Sequence, residues 1–279
     1  MANQTSDQQF FGMQTFFEKA QLDLDKTITL EPKFPFAYCL TMEDMMASGA
    51  PQTTIRKIRD TALESNPYSV SIRWYYITTR IPKWGGSIRE VETEIADARR
   101  HYEKNPNLKV LEGRLPEEMG GSAVLAGNYA LGVEFYTEAL KQGWFPTYLM
   151  LRGDTYIRLG RRDLGEEDLR QAIQLRPNYP PALYALGYSH YTRGLNSSNV
   201  EEGMKALSRA VEYLTRSLDA DPNDHKTLDI RGDARFYLRQ FDLAQADFKS
   251  ALALDPMNIE YQQDVFRAEA AIAALKSEE

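Results

Sequence analysis

Two spacings constrain this chain more than any other feature. Three glycines, Gly153, Gly187 and Gly232, lie 34 and then 45 residues apart, while three prolines, Pro177, Pro222 and Pro256, lie 45 and then 34 apart. Both series hold one 34-residue period with a single insertion of 11, and the position of the long step places that insertion between Gly187 and Pro222. Within a unit, apolar residues recur at helical spacing in two blocks, as in Leu149, Tyr156 and Leu159, then Leu169, Ala172, Ile173 and Leu175. Each unit therefore reads as a helical hairpin, and a proline after each second helix blocks its continuation. A mid-helix glycine costs about 1 kcal/mol relative to alanine, so these three imply close approach of a neighbouring helix.

Composition agrees with an all-α chain: 29 Leu and 28 Ala stand against 8 Val among 279 residues. Cys39 is the single cysteine, which excludes an internal disulfide and is compatible with a reducing compartment. No stretch approaches the roughly 18 consecutive apolar residues of a bilayer span, and the opening Met-Ala-Asn-Gln-Thr-Ser-Asp lacks the regions of a signal peptide. The expectation is a soluble, cytoplasmic chain, or a periplasmic one if an upstream signal or anchor has been trimmed. With 40 acidic against 33 basic residues the net charge is −7, a field that repels phosphate backbones and argues against nucleic acid.

The unit resembles the tetratricopeptide repeat, with a small residue at its eighth place, an aromatic at the eleventh, small residues at the twentieth and twenty-seventh, and proline at the thirty-second. Tyr156, Gly165, Ala172 and Pro177 fit residues 146–179; Ala244, Phe248, Ala251 and Pro256 fit 225–258. The unit at 180–224 is looser, with His190 at the aromatic place and Ser217 for the alanine. Upstream the period is degraded: Pro32, Pro67 and Pro106 close helical blocks, with Ala20, Leu24, Ile55, Ala62, Ile95 and Ala98 facing inward. Gly127-Asn128-Tyr129 with Ala139 marks the second helix of another unit, ending near Trp144, and Pro116 with Gly120-Gly121 marks a boundary.

The whole chain thus reads as an α-solenoid of stacked hairpins. It divides into an irregular helical-repeat region at 1–113, repeats at 114–256, and a capping helix at 257–279 that covers the last hairpin. That helix is amphipathic, with Ile259, Val265, Ile272 and Leu275 on one face and Glu260, Gln263, Arg267 and Lys276 elsewhere.

Comparing the units with one another gives a sharper expectation. Arg152 and Arg231 each have an aspartate sixteen residues on, Asp168 and Asp247, whereas the middle unit has Leu186 and Tyr213 at the two places. Because the places change together, an arginine-to-aspartate pair should bridge the two helices of a hairpin. The tripeptide Arg-Gly-Asp at 152–154 and 231–233 then reflects packing, not an integrin ligand. The insertion, with Ser198 and Glu201 as a capping box, is either a projecting arm or a longer hairpin.

In the first half, Pro82-Lys83-Trp84-Gly85-Gly86-Ser87 is the most distinctive string. Ser87 and Glu90 form a capping box, and Trp84 is expected to anchor the turn. No phosphate signature follows the glycines. With Asn66-Pro67-Tyr68-Ser69 and the Arg73–Arg80 helix, this string resembles an uncharacterised bacterial helical-domain family found beside tetratricopeptide repeats. That resemblance spans roughly residues 10 to 115, supports a bacterial origin and implies no chemistry.

No catalytic, metal or cofactor site is expected: His101, His190 and His225 are far apart, and Cys39 has no local partner. The acid pairs Glu117-Glu118 and Glu166-Glu167 read as solvated helix starts. In the tetratricopeptide family the second, fifth, ninth and twelfth residues of each unit face a concave groove. The resemblance carries this over to Met150, Asp154 and Ile157, Tyr184, Tyr188 and Tyr191, and Asp229, Asp233 and Phe236, with Tyr237 adjacent. The alternative is that several of these pack between helices. The lysines and asparagines with which chaperone-binding members clamp a terminal carboxylate are absent from these places, so an apolar or basic protein segment suits better. The expected function is a non-enzymatic adaptor or scaffold; the alternative is a dedicated chaperone or immunity-type inhibitor that sequesters one protein.

Overall fold

The structure, a computed structural model, describes residues 7–143 and 145–278, and the side chains of 19–143 and 145–276 among them. The opening residues 1–6 and the expected helix end at Trp144 lie outside the described residues, as does Glu279 at the end of the capping segment. The described residues form fourteen α-helices and two 3-10 stretches, with no strand. No described helix is long and apolar enough to cross a membrane. The helices fall into two compact units, Met1–Met119 with Lys141–Gly143, and Gly120–Leu140 with Trp144–Glu279.

The first unit contains α1 (Asp7–Leu30), α2 (Pro35–Ala47), α3 (Gln52–Ser65), α4 (Val70–Arg80) and α5 (Ile88–Arg99). Helix α2 packs on α1, α3 and α4, and α4 packs on α5. Tyr38, Cys39, Met42, Ile55, Ala62, Ile72 and Tyr76 form the core, and burial pushes the Cys39 thiol up to about 11. Ile55, Ala62, Ile95 and Ala98 are buried as the period implied, whereas Ala20 and Leu24 are only half-buried.

An arginine also bridges two helices here. Arg73 on α4 is buried and donates to Glu94 and Asp97 on α5, each at 2.6 Å. The spacings of 21 and 24 differ from sixteen because the α4–α5 turn is longer, so comparison of the repeats missed it. That turn corrects one expectation. Trp84 does not plug it: the indole is 42% exposed, and the turn is tied down by Gln52, which donates to the Trp84 carbonyl at 3.2 Å. The close approach is made by Gly86, where a Cβ would fall 2.0 Å from the Arg80 carbonyl oxygen. Ser87 caps α5 by accepting from the Glu90 N–H at 3.3 Å, and its hydroxyl donates to the Glu90 carboxylate at 3.1 Å.

The second unit is built from the end of α6 (Arg114–Leu125) with α7 (Tyr129–Leu140), then the pairs α8 (Pro146–Arg158) and α9 (Arg162–Leu175), α10 (Pro180–Leu195) and α11 (Val200–Ala220), α12 (His225–Tyr237) and α13 (Phe241–Leu254), and finally α14 (Ile259–Glu278). A helix runs through the expected break at Pro116 and Gly120-Gly121. Pro116 lies in the first turn of α6, where its missing N–H costs no hydrogen bond. Gly120 serves a contact. A Cβ on Gly120, Gly153, Gly187 or Gly232 would lie 2.6 to 2.8 Å from Tyr136, the Gly165 carbonyl oxygen, Leu214 or Phe248 respectively. One small residue thus brings the two helices together in each of four hairpins.

The insertion is a longer hairpin. Helices α10 and α11 have 16 and 21 residues, against 13 and 14 for α8 and α9 and again for α12 and α13. The added turns stay zipped, with Gly194 against Leu207 and Gly203 against the Gly194 carbonyl. The cap is Asn199, which accepts from the Glu202 N–H at 3.1 Å, and not the expected Ser198.

Helix α14 packs on α13, with Tyr261, Val265 and Ala268 buried. Ile259 and Leu275 do not share that buried face; both are exposed, because the inward stripe runs through Tyr261, Val265, Ala268 and the half-buried Ile272. Arg267, expected on the polar side, turns inward.

Candidate functional site

The first helices α8, α10 and α12 carry the residues that the repeat pattern assigned to a partner. Met150 and Ile157 are half-buried against the core of Leu149, Leu169 and Leu186, as Tyr184 is against that of Tyr191, Leu207 and Leu214. Asp154 accepts from Arg158 one turn later at 2.7 Å.

The tyrosines form a ladder along α10, since residues four and three apart share a helix face. Tyr184 stacks on Tyr188 with ring centroids 6.1 Å apart and 15° between planes, and Tyr191 follows 6.1 Å further at 40°. Tyr188 is 42% exposed, whereas Tyr191 is 8% exposed and donates its hydroxyl to Asp233 on α12 at 2.8 Å. Phe236 meets Tyr237 and Phe241 edge-on. Tyr237 is exposed.

The acids are unevenly satisfied. Asp233 accepts from Tyr191 and from Arg267 of α14, whose guanidinium also reaches Asp264 at 3.0 Å and lies 4.5 Å over the Phe236 ring. Asp229 is half-buried; its Oδ1 is shielded from solvent and accepts from no N–H donor, and its carboxyl meets that of Asp264. Burial, then the nearby Asp233 and Asp264, push its carboxyl up to about 7. Burial and Tyr188, followed by Asp224, Asp154 and Asp229, push the Tyr184 phenol up to about 12. The pattern therefore brings together Tyr184, Tyr188, Tyr191, Asp229, Asp233, Phe236 and Tyr237 as an aromatic surface with an acidic end. It missed Arg267, although a signal was present: Arg267 follows Asp233 by 34 residues, one repeat on.

The reading of Glu166 as a solvated helix start is corrected. Glu166 is buried and accepts from Ser189 at 3.0 Å, Arg193 at 2.6 Å and Arg170 at 2.8 Å, tying α9 to α10. Glu117 is likewise no free solvated end, since burial pushes its carboxyl up and Arg114 donates to it. His190 fills its aromatic place by stacking on Tyr213, with 1° between the rings. Among the described residues, no group of three or more His, Cys, Asp or Glu is placed to hold a metal ion.

Known proteins resemble this chain over part of its length. The tetratricopeptide repeat model matches residues 146–179. A stretch of 64 residues is 39% identical to the peptidyl-prolyl cis-trans isomerase FKBP4 of Mus musculus, covering 23% of this chain and 14% of the isomerase. The chain thus spans about a seventh of the length of the curated relatives it matches. TTC0263, a thermophilic TPR protein of Thermus thermophilus, superposes with a TM-score of 0.50 at 21% identity, over 59% of this chain and 84% of that one. MamA of Desulfovibrio magneticus RS-1 gives 0.46 at 18% identity, over 59% and 93%. Likeness to TTC0263 concerns the fold alone.

Proposed function

We propose that this chain, whose residues 146–179 match the tetratricopeptide repeat, works as a scaffold holding an apolar or basic segment of another protein on the first-helix face of its second unit. The observation that carries this reading is the Tyr184, Tyr188 and Tyr191 ladder running into Asp233 and into Asp229, whose Oδ1 has no donor. The exposed Tyr188 and the half-buried Tyr184 stacked on it lose little entropy on binding and offer aromatic contact area, while the buried Tyr191 orients Asp233. A carboxylate oxygen lacking a donor gains most from a cationic one, so a Lys or Arg side chain completes the site. Arg267 supports this chemistry from within, as a guanidinium held by two carboxylates and a phenylalanine ring. The acidic end repels a terminal carboxylate.

The test is selection of peptides from a displayed random library on the full chain and on its Tyr184→Ala/Tyr188→Ala variant, with helicity checked by circular dichroism. The full chain should recover sequences rich in apolar residues and Lys or Arg, and the helical variant should lose them. Recovery of the same peptides by both proteins would reject this face.

A further inference from the structure

Helix α14 packs on α13 and meets α12 through three polar rungs. On α12 the rungs are His225, Asp229 and Asp233, four residues apart and so on one helix face; on α14 they are Tyr261, Asp264 and Arg267, at steps of three. At one end His225 Nδ1 and the Tyr261 hydroxyl are 2.7 Å apart, and at the other Arg267 donates to Asp233. The outer rungs thus join unlike groups. The middle one sets the Asp229 carboxyl against that of Asp264. Arg267 also reaches Asp264 at 3.0 Å, so one guanidinium serves two acids, while Asp229 Oδ1 is shielded from solvent and accepts from no N–H. The groups facing Asp229 are Asp233 on its own helix, Glu260, Tyr261, Asp264 and Arg267 on α14, and Tyr184 on α10. The α13 acid Asp247 is taken by Arg231 and Arg235, about 200° and 240° around α12 from Asp229, and α11 presents the uncharged Thr215 to Arg231.

Two ionised carboxylates in contact repel, whereas one proton between them makes a charge-assisted O–H donor to the other oxygen. Burial and the neighbouring acids hold the Asp229 carboxyl up at about 7, and burial raises that of Asp264 against the pull of Arg267. We propose that the Asp229–Asp264 rung is a proton-operated latch on the capping helix: with the proton α14 is bonded to α12, and without it the rung repels and α14 opens from hairpins that stay folded. Opening withdraws Arg267 from Asp233 and uncovers Ala244 and Phe248 of α13, which are buried against Val265 and Ala268. The latch does not depend on the scaffold function proposed above. Its sign follows from linkage. The closed form keeps the proton up to about pH 7 and the open form, with Asp229 in water, releases it near about 4, so opening gains as pH rises between these values and levels off above them.

The test is amide hydrogen exchange of the full chain at pH values from about 5 to about 8, read by mass spectrometry and corrected for the intrinsic exchange rate at each pH. The opening constant of α14 should climb by up to about tenfold per pH unit between about 5 and 7, the slope of one proton, and then level off. At the upper end of the range α14 should open more readily than α8 and α9, whose amides stay protected. Asp229→Asn and Asp264→Asn, each of which puts an amide donor in the rung, should flatten the slope and protect α14 at high pH. His225→Gln should keep the slope, which separates the latch from titration of the neighbouring rung. Equal opening of α14 across the range, a slope retained in both asparagine variants or lost in His225→Gln, or an opening constant no larger than that of α8 and α9 would each overturn the proposal.

Discussion

Arg231 repeats the contacts of Arg152. In both, Nε and Nη2 grip the two oxygens of an aspartate sixteen residues on, at 2.7 and 2.8 Å for Arg152 and 3.0 and 2.6 Å for Arg231. In both, Nη1 donates at 3.2 Å to a threonine hydroxyl of the preceding hairpin, Thr137 or Thr215. The hairpins that supply the threonines carry apolar residues at the arginine and aspartate places, Leu186 and Tyr213 in one, Met119 and Phe135 by the same spacing in the other. Apolar and Arg–Asp hairpins therefore alternate from α6 to α13.

Truncating Arg231 to alanine leaves the buried Asp247 with only Arg235 and should cost about 2–4 kcal/mol in urea unfolding. The alternation predicts its own rescue. Arg152→Leu combined with Asp168→Tyr imitates the apolar hairpin and should recover most of the loss from Arg152→Leu alone. Additive losses in the double variant would mean that the two kinds of hairpin are not interchangeable.

Gly153→Ala tests the close approach against helix propensity. Alanine is favoured in a free helix by about 1 kcal/mol, yet its Cβ would sit 2.8 Å from the Gly165 carbonyl oxygen, which belongs to the backbone and has little room to move. We expect net destabilisation of about 1–3 kcal/mol by chemical denaturation. A stabilised variant would contradict the packing.

The Asp229 carboxyl is raised to about 7 by burial and by Asp233 and Asp264, with Glu260 adding and Arg267 opposing. Its folded value exceeds the unfolded one, near 3.9, so the stability contributed by the proton is complete below about pH 4 and is lost as pH rises through about 7. Asp229→Asn should therefore be more stable than the parent at pH 8, by on the order of 1 kcal/mol or more, with the gap closing toward pH 4. A gap that is constant from pH 4 to 8 in thermal melts would show that ionisation of Asp229 carries no cost.

Arg267→Gln removes the internal guanidinium from Asp233 and Asp264. Binding of a basic peptide selected on the first-helix face should strengthen by about threefold to tenfold, read by calorimetry and reduced by salt. Weakened binding with intact helicity would mean that Arg267 shapes the surface instead of competing for it.

The period, the hairpins and the Arg152 and Arg231 pairs were legible because each leaves a residue type at a fixed offset. The Gly120 hairpin was not, since Pro116 and a glycine pair look like a break when it is unknown that Gly120 faces Tyr136. Glu166 was misread for a related reason: its partners Ser189 and Arg193 come from the next hairpin, beyond the reach of local charge patterning. In the candidate site, the ring stack of Tyr184 on Tyr188 and the Tyr191–Asp233 bond join residues that the repeat spacing also puts on one helix face. Arg267 was not legible because its helix reads as a cap alone.

The most direct measurement is amide shift mapping of the 15N-labelled chain with a peptide selected on it. The account predicts perturbations concentrated on α10 and α12 around Tyr184, Tyr188 and Asp229, and abolished by Tyr184→Ala/Tyr188→Ala. Saturable binding that leaves those amides unmoved and shifts the opposite, second-helix face would contradict it.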